Sequence, residues 1–255
     1  MARPKGIDHF LKYLTGLEDQ YVLIGGGAAA ILMEEQNLEF RKTVDVDLVL
    51  LTNGSSELNA RIGKYVQDGQ FEKKEATQGS PRYYRFRSPA TEGFPRIIEI
   101  FARNEQDIPL NEGQYIIPIQ NDEVAQLSAI LLDDEYFNLI KANSKRSTNN
   151  ASIITASANI CLKARAHREL SERKSSGGDV DEKDIRKHGN DILRLAITLT
   201  GGERVTLGAQ SKKDLERILE ILDAIPDTQF KQIIKEYGTF VKKDLLLLIR
   251  KVFSI

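Results

Sequence analysis

Two aspartates, Asp45 and Asp47, stand one residue apart in the run Phe40-Arg41-Lys42-Thr43-Val44-Asp45-Val46-Asp47-Leu48-Val49-Leu50. The residues around them are β-branched or aliphatic, so 44–51 is predicted to be a strand. Side chains alternate faces along a strand, which sends both carboxylates to one side and Val44, Val46 and Leu48 to the other. Neighbouring carboxylates in an apolar strand repel each other and lose hydration. Either the acidic end of this strand is simply wet or a divalent cation neutralises the pair, and spacing alone weighs the two equally. Mg²⁺ prefers hard oxygen ligands, commonly one or two carboxylates plus substrate phosphates. Mn²⁺ suits the same donors.

Some twenty residues earlier the apolar run Tyr21-Val22-Leu23-Ile24 stops at Gly25, Gly26 and Gly27 before Ala28 and Ala29. A strand, a glycine turn and a helix start in that order let backbone approach a ligand, and the free N–H groups and dipole of the helix start favour a phosphate. Three glycines alone more often make a tight strand-to-helix turn. Their combination with an Asp-x-Asp strand is rarer. Glu99, in Arg96-Ile97-Ile98-Glu99-Ile100-Phe101, is a further carboxylate inside an apolar strand. Beside the Asp45/Asp47 strand it would complete a three-carboxylate cluster. Such a cluster can hold metal for in-line phosphoryl displacement, or Glu99 can serve as general base. The plainer alternative pairs Glu99 with Arg82, Arg85 or Arg103 in a salt bridge.

The elements that must position these groups form an α/β first half. Helices are predicted over 28–36 and from Leu58 through Val66, with Ser55 or Ser56 as N-cap, and strands over 82–87 and 96–103. From about residue 122 the pattern turns helical. Val124, Leu127, Leu131, Phe137 and Ile140 form one stripe, the polar stretch 143–150 acts as a separator, and a long helix covers 151–173. A glycine-rich loop precedes a helix marked by Ile185, Ile192 and Leu195, and Ser211 with Asp214 resembles a capping box ahead of Leu215. The expected domains are therefore 1–120 and 121–255.

The chain has 255 residues, 41% hydrophobic and 29% charged, which is enough for a sizeable core. Its 36 basic and 37 acidic residues nearly cancel, so global charge selects neither a nucleic acid nor a membrane partner. The single Cys161 excludes an internal disulfide and a cysteine-rich metal site. With no apolar leader and no run long enough to span a bilayer, no membrane association and a cytoplasmic location are expected. Arg82, Arg85 and Arg87, interleaved with Tyr83, Tyr84 and Phe86, read as a cross-strand ladder or as a substrate- or RNA-binding strip. Arg165, Arg168, Arg173 and Lys174 read as a solvated helix face or a surface for tRNA.

Together the glycine turn, Asp45-x-Asp47 and Glu99 resemble the DNA-polymerase-β-type nucleotidyltransferase superfamily. The longer pattern, Gly25-Gly26 followed by Arg41-x-Thr43-x-Asp45-x-Asp47, is similar to the AbiEii-type toxin nucleotidyltransferases of bacterial type IV toxin–antitoxin and abortive-infection systems. The resemblance implies an α+β fold: a small mixed sheet flanked by helices, then an all-helical C-terminal half. It implies Mg²⁺-dependent transfer of a nucleotide from an NTP, with tRNA or another macromolecule as acceptor and a cognate antitoxin as partner. Asp45, Asp47 and Glu99 would bind metal, and Gly25, Gly26, Gly27 and Thr43 would contact the nucleotide. Lys163, in Ile160-Cys161-Leu162-Lys163-Ala164-Arg165, matches the helical half's lysine, and Asp184 or Asp191 matches its acidic motif, with His188 between them as a core or catalytic histidine. One departure concerns the glycines: the superfamily often follows them with Ser or Thr, and this chain has Gly27-Ala28. A small-molecule acceptor and a non-catalytic nucleotide- or RNA-binding module on the same fold are the competing readings.

Overall fold

The computed structural model describes residues 3–51, 55–72, 83–102 and 133–255. Two compact units emerge. The first takes the N-terminal part of the chain plus Ser144–Ile154, and the second takes Asp133–Asn143 and Thr155–Ile255. The expected boundary near residue 120 and the stripe through Val124, Leu127 and Leu131 lie outside the described residues, as do Arg82 and Arg103.

The first unit is organised by a six-stranded mixed sheet. Its strands are β1 (Tyr21–Ile24), β2 (Asp45–Leu50), β3 (Tyr83–Arg87), β4 (Ile97–Ala102), β5 (Ser144–Arg146) and β6 (Ser152–Ile154), in the order β3-β4-β2-β1-β6-β5. β2 runs antiparallel to β1 and parallel to β4, and β3 runs antiparallel to β4. Val22, Leu23, Ile24, Val46, Leu48 and Ile98 are all fully buried, as near-continuous apolar strands covered on both faces should be. Val44 precedes β2 and is 37% exposed, so it does not join Val46 and Leu48 in the core as expected.

Among the described residues, this unit has the helices α1 (Ile7–Tyr13), α2 (Gly25–Glu34) and α3 (Ser56–Asp68). α2 starts at the first glycine rather than at Ala28, since glycines cost helix stability but do not forbid it at an N-terminus. α3 is capped by Ser55, whose hydroxyl accepts from the Leu58 amide at 3.4 Å. Its Tyr65 ring lies 4.6–4.9 Å from the rings of Phe94, Tyr13 and Phe10.

The β5–β6 hairpin differs from the sequence reading, which made 143–150 a separator and began a helix at 151. Ile153 instead pairs with Leu23 of β1 in parallel, and Ile153 and Ile154 are fully buried. Three-residue strands are too short for a periodicity to register. The hairpin is tied down by Lys145 to Glu35 at 2.7 Å, by the Thr148 amide to Glu35 at 2.8 Å, and by an Arg146–Asp19 pair.

The second unit is helical, with α4 (Asp134–Ala142), α5 (Ala156–Ser175), α6 (Glu182–Ala196), α7 (Ala209–Ala224), α8 (Asp227–Ile234) and α9 (Lys242–Phe253). Thr155 caps α5 by accepting from the Ala158 amide at 3.3 Å. Ser211 lies inside α7 rather than at its cap: its hydroxyl accepts from the Gly208 amide at 3.1 Å. The free N–H groups of Gln210 and Ser211 donate to Glu135 of α4 at 3.2 and 2.6 Å, so the anion that caps α7 comes from another helix. Among the described residues no helix is long and apolar enough to cross a membrane.

Candidate active site

The first unit's acidic residues are set by strand register. Along β2, Asp45 and Asp47 fall on one face. Parallel pairing puts Glu99 of β4 directly beside Asp47, and antiparallel pairing puts Arg85 of β3 directly beside Glu99. Laterally paired residues share a face. The sheet therefore carries one row, Arg85–Glu99–Asp47, with Asp45 one step along β2. Asp47 and Glu99 are each 9% exposed. Arg85 Nε lies 3.2 Å from Glu99 Oε1, so a salt bridge weighed from the sequence is present, with Arg85 as a partner.

The glycine turn closes on this row. Ile24, the last residue of β1, pairs with Asp47. Gly25 has φ +66, and a Cβ there would lie 2.1 Å from Asp47 Oδ2. Only glycine combines that left-handed backbone with so close an approach. A Cβ on Gly26 would lie 2.6 Å from Thr43 Oγ1, so the Thr43 hydroxyl sits against the turn. The N-cap residue of α2, Ile24, makes no side-chain cap hydrogen bond, and the helix begins at this turn with its positive dipole end. Gly27 is more ordinary: its nearest neighbours would be Ile7 at 3.3 Å and the Asp45 carbonyl at 3.6 Å.

Whether these residues fit a divalent cation is tested by the satisfaction of their oxygens. Asp45 Oδ1 is buried and has no hydrogen-bond partner. An orphaned carboxylate oxygen is costly unless something positive meets it. The donor set is all hard oxygen, as Mg²⁺ requires. Among the described residues no group of three His, Cys, Asp or Glu side chains is gathered closely enough to hold an ion. The carboxylates share a face without closing around one point. The expected three-carboxylate cluster is therefore not gathered, and an ion held by one or two of these carboxylates would take its remaining oxygens from substrate phosphates and water. The donors fit.

The second unit contains the remaining predicted residues. Lys163 on α5 is 7% exposed, and its Nζ lies 3.3 Å from Oδ2 of the fully buried Asp191 on α6. Arg194 reaches the other Asp191 oxygen at 3.3 Å. The structure thus brings Asp191, not Asp184, to Lys163. Asp184 sits half-buried in the first turn of α6. Gly189 and Asp191 are buried while His188 is half-buried.

A polar group missed by the sequence reading lies deeper. Asp214 of α7 is 1% exposed and accepts from Tyr136 Oη at 2.6 Å and Gln210 Nε2 at 2.7 Å. Arg168 and Arg165 approach the same carboxylate at 3.1 and 3.6 Å. Burial, then the Asp214 charge, pushes the Tyr136 hydroxyl far above its ordinary range. Burial likewise pushes the Glu169 carboxyl up, although Arg165 pairs with it. Arg165 and Arg168 are therefore engaged inside the helical unit rather than displayed for tRNA. The signal was available: Asp214 precedes Leu215 and stands four residues before Ile218, on the buried stripe of its helix.

No protein-family model and no curated protein matches the sequence. Among solved structures, the chain is similar to the crystal structure of an antigenic nucleotidyltransferase-like protein from Paracoccidioides brasiliensis. The identity is 16% and the TM-score 0.40, over 91% of this chain and 95% of that one.

Proposed function

We propose that the chain is a Mg²⁺-dependent nucleotidyltransferase that moves a nucleotide from an NTP to an acceptor. The reading rests on one observation: Asp47 and Glu99 are register neighbours against a glycine turn that leaves no room for a side chain, while Asp45 keeps a buried oxygen without a partner. Asp45 and Asp47 would hold the cation, with Glu99 as a further ligand or as base toward the acceptor hydroxyl. When bound, Mg²⁺ supplies charge stabilisation to the phosphate oxygens. Gly25, Gly26 and Gly27 bring backbone close to the triphosphate, and the dipole at the start of α2 favours its negative charge. Thr43 offers a hydroxyl against Gly26, which answers the lack of Ser or Thr after the glycines. A role for Lys163, which Asp191 holds within the helical unit, rests on the resemblance alone.

The same resemblance makes tRNA the proposed acceptor and an AbiEii-like toxin, restrained by an antitoxin in the bacterial cytoplasm, the proposed setting. Incubation with each α-labelled NTP, Mg²⁺ and either total tRNA or aminoglycosides tests this. Label on tRNA is expected. Asp47→Asn should slow transfer by about a thousandfold, the equivalent of roughly 4 kcal/mol of lost stabilisation. Label on the aminoglycoside alone would move the acceptor to a small molecule. Tight NTP binding with no transfer to either would replace the enzyme by a binding module.

A further inference from the structure

We propose that Arg85 is a built-in counter-cation that competes with the incoming divalent ion for Glu99 and so sets the cation affinity of the site. The inference rests on the function proposed above but concerns a residue which that reading leaves without a role. Strand register fixes the competition. Glu99 has Arg85 on one side and Asp47 on the other, all in one lateral row of the sheet. Arg85 Nε is 3.2 Å from Glu99 Oε1, yet that nitrogen is buried and makes no hydrogen bond. Its pairing with Glu99 is therefore coulombic and loosely aimed, unlike a bidentate Arg–carboxylate lock.

A guanidinium keeps its charge at every working pH. It therefore offsets part of the negative potential of Asp45, Asp47 and Glu99 at all times. Before a cation binds, this contributes to compensating the buried Glu99 charge. When a cation arrives, the same charge opposes it from across Glu99. Arg85 thus keeps an acidic strand end foldable without metal and keeps metal binding weak enough to depend on the substrate's phosphates.

The experiment is Mn²⁺ binding to the full chain without nucleotide, read from the free-ion electron paramagnetic resonance signal. Arg85→Gln should tighten the dissociation constant by about tenfold, the scale on which one neighbouring charge shifts a carboxylate equilibrium. Arg85→Lys, which keeps the charge, should stay within about twofold of wild type. In a Glu99→Gln background the effect of Arg85→Gln should vanish. Arg85→Thr, compatible with a strand, is a second neutral variant should the glutamine variant not fold. Unchanged or weaker Mn²⁺ binding in the neutral variants, or a tightening that persists without the Glu99 carboxylate, overturns the role of Arg85 alone. A wild type that binds no Mn²⁺ overturns both this inference and the proposed function.

Discussion

The two units bury acidic side chains in opposite ways. In the helical unit, Asp191 is met by Lys163 and Arg194, and Asp214 by Tyr136, Gln210, Arg165 and Arg168. In the sheet unit, three carboxylates share one face, the Arg85 guanidinium stands beside Glu99, and Asp45 keeps an oxygen with no hydrogen bond. Compensated burial of the first kind fixes helix packing. At Asp45, a buried oxygen that no donor meets leaves negative charge available to a cation. The contrast lies in how the acids are met rather than in how deeply they are buried, although Asp214 is more buried than Asp47.

The contrast breaks most readily at Asp214. Asp214→Ala should cost about 3–5 kcal/mol, because it strands Arg165 and Arg168 in the helical core. Urea denaturation followed by circular dichroism would read it, and a loss under about 1 kcal/mol would mean the network is slack. A smaller effect should come from His167 of α5. Burial, then the Arg217 charge, lowers its pKa from 6.5 to about 4. A depressed histidine favours the folded state fully above the unfolded value, and that contribution falls away as pH drops from about 6.5 towards 4. The loss should be on the order of 2–3 kcal/mol across that window. His167→Gln should flatten the profile there, and an unaltered profile would place the acid sensitivity elsewhere. The smallest effect is expected at Asp45. Asp45→Asn should leave stability within about 0.5 kcal/mol of wild type, or raise it slightly by easing repulsion with Asp47. A marked loss of stability would make Asp45 structural after all and dissolve the contrast.

Much of the sheet unit was legible from local chemistry. The Asp-x-Asp alternation fixed which face the acids share, and three glycines after an apolar run marked where the chain turns. The lateral partners were not legible, because register is a matter of pairing between distant segments: nothing near Glu99 says that Arg85 rather than Arg82 or Arg103 will stand opposite it. The hairpin at 144–154 escaped for a related reason, since Ile153 becomes a strand residue only through Leu23. In the helical unit the stripes through Ile192 and Leu195 and through Leu215 and Ile218 are buried as expected, but Asp214 beside the second reads from the sequence as part of a capping box. Recognising Asp214 as buried required knowing that Tyr136 and two arginines converge on it from α4 and α5.

The hairpin carries a practical lesson about dissection. Because β6 returns to pair with β1 after the chain has already begun the other unit at Asp133, neither unit is a single stretch of polypeptide. A gene fragment ending before residue 144 would strip β1 of one neighbour and bare a row of backbone donors and acceptors, an invitation to self-association. Isolating the sheet unit calls for grafting Ser144–Ile154 back by a linker, not for one scissor cut.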